Sequence, residues 1–175
     1  VLIIDEAYAD VQPDLSLVPR LPLANVVILR SFGKFHGLAG LRLGFAVSTP
    51  EIASRLEDDL GPWAVSGPAL EVGARALADH DWSQAERSRL AAEMARLRAA
   101  LMDAGAVVVG GTDLFVSVEH ERAPDLFDHL AKVGIWVRRF AERPRHLRFG
   151  LPGAADDWAR LSAALAVFDQ SGARR

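Results

Sequence analysis

The chain has 175 residues, half of them hydrophobic and a quarter charged, with a net charge of −3. These figures exclude a disordered chain and give no basis for nucleic acid as the main partner. With no cysteine in the sequence, disulfides, thiolate catalysis and cysteine-based zinc or iron–sulfur sites are excluded together.

The length suggests one domain and a fraction, at roughly 150 residues per domain. Val1 to Ile4 is an all-apolar run ending in Asp5-Glu6, and Val26 to Leu29 is a second one ending in Arg30-Ser31. Both read as strands buried on two faces, as in a mostly parallel sheet. Because a domain rarely opens on such a strand and the chain begins without Met, the sequence is expected to be part of a longer protein. Leu41 to Ser48 reads as a third strand. Thr49-Pro50-Glu51 then supplies an N-cap, a first-turn proline and an early acid for a helix to about Leu60, stopped by Gly61-Pro62.

Helical patterns follow over Ala69 to Leu77 and Ser83 to Ala104, the second opened by the capping-box pair Ser83 and Glu86 and closed by Gly105. Leu90, Met94, Leu97 and Leu101 form an apolar stripe along it. Short elements come next: strands at Ala106 to Val109 and Leu114 to Val118, a helix over about Pro124 to Val133, and strands at Ile135 to Arg138 and Leu147 to Phe149. A final helix spans about Asp156 to Asp169, with a loose tail from Ser171. The order β-β-α-β-β-α predicts a small two-layer α+β domain over 105–175. Helices over 69–104 link it to an α/β portion over 1–68. No apolar run approaches a membrane span of roughly 20 residues and no signal peptide is evident, so a cytoplasmic location is expected.

Of the twenty basic residues, eighteen are Arg and only Lys34 and Lys132 are Lys. Either residue type supplies positive charge, whereas amine nucleophilicity belongs to lysine. Lys132 lies late in a predicted helix, where a cation suits the helix dipole and solvent. Lys34 follows the second buried strand within Ser31-Phe32-Gly33-Lys34-Phe35-His36-Gly37-Leu38-Ala39-Gly40-Leu41-Arg42-Leu43-Gly44. A lysine at the mouth of a sheet, partly desolvated and beside another cation such as Arg42, is able to lose its proton and act as an imine-forming nucleophile. The glycines allow close backbone approach to a bound group, and Ser31 with Arg42 offers donors suited to a phosphate. Asp5 ends a buried strand, where open α/β sheets place ligand-binding residues. An acidic strand end also describes P-loop ATPases, but Gly33-Lys34 is followed by Phe35 and lies after the acidic strand, which excludes that reading.

The run Ser31 to Gly44 resembles the Schiff-base segment of fold-type I aminotransferases that use pyridoxal 5'-phosphate, in the pattern Ser-x-Gly-Lys-x-x-Gly-Leu-x-Gly-x-Arg-x-Gly. Asp5-Glu6-Ala7-Tyr8 resembles the family's Asp-x-x-Tyr, about thirty residues before the lysine. The resemblance implies that Asp5 pairs with the pyridine nitrogen, that Tyr8 bonds the ring's phenolic oxygen, and that Ser31 and Arg42 hold part of the phosphate. It also implies that Lys34 forms the internal aldimine and then shuttles a proton at the substrate Cα. Leu147-Arg148-Phe149-Gly150 resembles the strand whose arginine binds the substrate α-carboxylate, although Arg148 could also be one of several solvated charges near Arg138, Arg139, Arg143 and Arg145. His36 reads as a local hydrogen-bonding residue, and His80, His120, His129 and His146 lack metal-ligand spacing.

The segment Gly61-Pro62-Trp63-Ala64-Val65-Ser66, with Arg30-Ser31-Phe32-Gly33-Lys34 and Leu147-Arg148-Phe149-Gly150-Leu151-Pro152, is similar to bacterial L-threonine-O-3-phosphate decarboxylases of cobalamin biosynthesis. Histidinol-phosphate aminotransferase is the alternative, and a catalytically inert C-terminal piece a third. The resemblance covers the C-terminal half or so of a family member. It implies part of a large cofactor-binding domain with a mixed, mostly parallel sheet, followed by a small α+β domain. A phosphorylated amino acid substrate and a homodimer of the full-length enzyme are likewise implied.

Overall fold

The structure is a computed structural model that describes residues 1–172. It divides into two compact units, Val1–Ala85 and a second beginning at Glu86.

In the first unit β1 (Leu2–Asp5) and β2 (Val26–Ser31) run parallel, and β3 (Gly44–Val47) runs antiparallel to β2. The result is a mixed sheet in the order β1-β2-β3. The branched residues Val26, Val27 and Ile28 fill the buried part of the central strand, where a stiff χ1 suits pleated packing. Contrary to expectation, β1 is not covered on both faces. Leu2 and Ile3 are 59% and 63% exposed, and β1 is an edge strand with β2 as its single neighbour among the described residues. The third strand is shorter than its apolar pattern suggests. Ala39–Leu41 forms a 3-10 turn and Arg42 adopts a left-handed φ of 55°, so regular pairing starts only at Gly44.

Helix α1 (Pro50–Leu60) begins and ends where Thr49-Pro50-Glu51 and Gly61 predict. The Thr49 carbonyl accepts from Ala53 N at 2.9 Å, and the Glu51 carboxyl is held below the ordinary glutamate value of 4.5. Its own backbone N–H is the larger cause and the Thr49 hydroxyl the second. Helix α2 (Gly67–Ala78) is capped by Ser66 Oγ, which accepts from Ala69 N at 3.3 Å. Helix α3 (His80–Asp103) starts earlier than the Ser83–Glu86 box implies. Asp79 Oδ1 accepts from Trp82 N at 3.0 Å and takes the capping role. Ser83 is buried inside the helix, and Glu86 pairs with Arg89 at 2.6 Å.

The second unit contains β4 (Val107–Gly111), β5 (Phe115–Glu119), α4 (Ala123–Lys132), β6 (Arg138–Phe140), β7 (Arg143–Gly150) and α5 (Ala155–Gly172). Its four strands form an antiparallel sheet in the order β4-β5-β7-β6. Val116, Val118, Leu147 and Phe149 line one face. They form one core with Leu97 and Leu101 of the predicted stripe, Leu126 and Leu130 of α4, and Trp158 and Leu161 of α5. Strand β6 begins at Arg138 rather than Ile135, because Ile135 N donates to the Leu130 carbonyl at 2.9 Å after Gly134 turns with φ of 75°. That residue closes the end of α4 instead of joining the ladder. The expected loose tail falls partly on α5, which reaches Gly172, and otherwise outside the described residues. Among the described residues no helix is long and apolar enough to cross a membrane.

Candidate functional site

Parallel pairing brings the carboxyl ends of β1 and β2 to the same edge of the sheet, with Asp5 aligned to Leu29. At that edge open α/β sheets bind ligands. Asp5 is exposed there, and its Oδ1 accepts from Ala7 N at 2.9 Å in a tight turn. Two residues beyond Leu29, Ser31 ends β2, and its Oγ accepts from Gly33 N at 3.1 Å. The chain then leaves the sheet and returns as β3, with Gly44 opposite Ser31. A Cβ at Gly44 would lie 2.9 Å from the Arg30 carbonyl oxygen, so the close pairing at this edge depends on glycine.

Lys34 occupies the first turn of that excursion. Its carbonyl accepts from Gly37 N at 3.1 Å, and Gly37 turns with φ of 67°. The side chain is exposed rather than partly desolvated as expected, since no described element of this unit covers it. Its Nζ lies 5.7 Å from the centre of the Tyr8 ring. Asp5, Tyr8, Ser31 and Lys34 therefore share one sheet edge, although they lie at or just beyond the ends of two strands distant in sequence. Arg42 stands on the same excursion. It is exposed, and its guanidinium folds onto its own turn, donating to the Ala39 carbonyl at 3.0 Å.

Arg148 belongs to the second unit, on the sheet face opposite the core. Its register partners are Ser117 on β5 and Arg138 on β6, and its guanidinium lies over the Phe115 ring at 5.1 Å. Directly opposed residues of antiparallel strands share a face, so Arg138 is a second cation beside Arg148, whereas the sequence shows it only as one arginine among several.

The histidines take structural places. His36 is stacked between Phe32, with ring centres 4.4 Å apart, and Trp82 at 5.7 Å. His120 is buried, with Nε2 3.2 Å from the Ala104 carbonyl and Nδ1 accepting from Arg122 N at 2.9 Å. His129 Nε2 lies 2.9 Å from the Ala164 carbonyl. Among the described residues no group of three or more His, Asp or Glu is placed to hold a metal ion.

Sequence reasoning missed one polar cluster. Glu6, next to Asp5, is 7% exposed and accepts from Ser16 Oγ and Leu17 N, each at 2.7 Å, and from Arg30 Nη1 at 3.2 Å. The signal was present in the sequence: Glu6 and Arg30 each follow an apolar strand, on strands that pair.

A lysine on a glycine-turned excursion from the carboxyl edge of a mixed α/β sheet, with a tyrosine ring beside it, a carboxylate at the same edge and an α+β unit following in sequence, fits a fold-type I transferase architecture. The chain belongs to the aminotransferase class I and II family, whose model matches residues 1–165. It is 47% identical to threonine-phosphate decarboxylase from Sinorhizobium sp over 94% of this chain and 49% of that protein. It is 43% identical to threonine-phosphate decarboxylase from Pseudomonas aeruginosa over 97% of this chain and 51% of the relative. Among solved structures it is similar to histidinol-phosphate aminotransferase from Sinorhizobium meliloti in complex with pyridoxal-5'-phosphate, with a TM-score of 0.85 and 27% identity over 98% of this chain and 49% of that one. The chain thus spans about half the length of these relatives.

Proposed function

We propose that the protein carrying this chain is a pyridoxal 5'-phosphate enzyme that decarboxylates L-threonine O-3-phosphate to (R)-1-amino-2-propanol phosphate, a step of cobalamin biosynthesis. The observation that carries the reading is the identity of 47% and 43% to two threonine-phosphate decarboxylases over nearly the whole chain, with the Lys34 edge intact.

The residues present fit the cofactor. Asp5 is an exposed carboxylate able to pair with a ring nitrogen, Tyr8 a phenol beside the Lys34 amine, and Ser31 and Arg42 are donors for a phosphate. Lys34 is the amine that would hold the cofactor's aldehyde carbon. The cofactor, when bound, supplies an electron sink for the pair left at the substrate Cα when a bond there breaks. Lys34 Nζ would then deliver a proton to Cα after the carboxylate departs as carbon dioxide. Arg148 would grip the substrate carboxylate through two parallel N–H···O bonds. Arg138, its register partner on the same face, would supply a second cation for the other anionic group of a phosphorylated amino acid.

The choice of bond depends on which Cα substituent stands perpendicular to the ring, and the Lys34 edge serves decarboxylation and amino transfer alike. A histidinol-phosphate-type aminotransferase is therefore the second reading, favoured by the TM-score of 0.85 to such an enzyme. Supplying L-threonine O-3-phosphate separates them. The proposal expects carbon dioxide without consumption of a 2-oxo acid, and stoichiometric amino transfer to 2-oxoglutarate would overturn it. The complete enzyme is proposed to be a homodimer, as the resemblance implies.

A further inference from the structure

The proposed chemistry leaves the buried cluster beside Asp5 without a task. Glu6 N donates to the Leu29 carbonyl at 2.8 Å, carrying the β1–β2 ladder past Asp5. The Glu6 carboxylate, its side chain 6% exposed, accepts from Ser16 Oγ, Leu17 N and Arg30 Nη1. Arg30 Nη1 also donates to Ser16 Oγ at 3.1 Å, while Arg30 Nη2 pairs with the Asp10 carboxylate. A carboxylate this buried persists only with its charge matched by donors. One rigid guanidinium fork serves two carboxylates at a set separation, which a lysine ammonium on a flexible stem does not reproduce.

The connectivity gives the cluster its meaning. Glu6 lies one residue from Asp5 and two from Tyr8, and Arg30 lies one residue from Ser31 and four from Lys34. Both Asp5 and Ser31 are set in tight turns that start at these strand ends. Any shift of one end against the other therefore separates the carboxylate and phenol from the hydroxyl and amine. We propose that the Glu6–Arg30–Asp10 cluster is the positioning device of this site, a brace that fixes the strand end carrying Asp5 and Tyr8 against the one carrying Ser31 and Lys34. Its role toward the cofactor rests on the pyridoxal phosphate reading above; its role as a brace does not.

Arg30→Lys and the milder Asp10→Asn, compared with the wild-type protein, test it in two ways. In cofactor-free protein, amide hydrogen exchange is expected to rise about tenfold in 5–9 and 31–35 together, with exchange in the second unit unchanged. Acceleration in one segment only, or in neither, overturns the brace. With added pyridoxal 5'-phosphate, both variants are expected to bind about tenfold more weakly, as loss of supporting contacts does at other preorganised sites. The pH midpoint of the visible absorbance band is expected to shift with it. Wild-type affinity and midpoint in a folded variant overturn the role toward the cofactor. If Arg30→Lys does not fold, Asp10→Asn, which removes one charge and keeps the shape, decides both arms. A wild-type protein without a band that Lys34→Ala abolishes overturns the pyridoxal phosphate reading, and with it the cofactor role, while the exchange result still judges the brace.

Discussion

At the scale of single residues, Arg148, Glu51 and Lys34 are separated by what each touches. Arg148 is half-buried on its sheet face, with Phe115 under its guanidinium. If Arg148 holds the proposed phosphorylated substrate, removing its paired donors in Arg148→Gln is expected to cost about 2–3 kcal/mol, or roughly 100-fold in kcat/KM for L-threonine O-3-phosphate. Cofactor titration should show unchanged affinity, and an equal loss for both would argue against a substrate role. Glu51 makes a second test, through pH. Its carboxyl is held below the usual value by its own N–H and by Thr49, so the charged form stabilises the folded chain. That contribution is present above the unfolded pKa and is lost as pH falls through the lowered folded one. Glu51→Gln is expected to lower the urea midpoint at neutral pH and to leave it unchanged in acid below that folded value. The position of Lys34 in the turn just after a strand was readable because glycine spacing and the scarcity of lysine coincide. Its exposure was not, since burial depends on elements that sequence spacing does not place.

Elements were readable wherever a local signal and the tertiary context agree. Helix α1 starts and ends on its proline and glycine, and the stripe through Leu97 and Leu101 is core. Disagreements arose where two local signals compete. Asp79 outcompetes Ser83 as the cap of α3, and Ile135 is drawn into the C-terminal turn of α4 instead of a strand. The apolar run in β1 records a demand for cover on both faces, whereas Leu2 and Ile3 stay exposed among the described residues. Two substitutions test this level. Gly37→Ala places a Cβ on a residue with φ of 67°. It is expected to destabilise by about 1–2 kcal/mol in urea denaturation, since left-handed backbone disfavours a side chain. Leu130→Ala removes a fully buried side chain of α4 and is expected to cost about 2–5 kcal/mol. In hydrogen exchange that loss should be read out in the second unit.

For the whole molecule, the sequence pattern already carried the α/β then α+β order, because strand periodicity changes to helical periodicity and back. The gathering of Asp5 and Tyr8 with Ser31 and Lys34 was not readable from spacing alone; it follows from parallel pairing of β1 with β2. The central claim is that this edge holds pyridoxal 5'-phosphate through Lys34, and the composition makes it directly testable, since Lys132 is the single other lysine among these 175 residues. After incubation with pyridoxal 5'-phosphate and reduction with borohydride, peptide mass spectrometry is expected to find the phosphopyridoxyl group on Lys34 and none on Lys132. Equal labelling of the two lysines, or no label on Lys34 in the complete protein, would contradict the account.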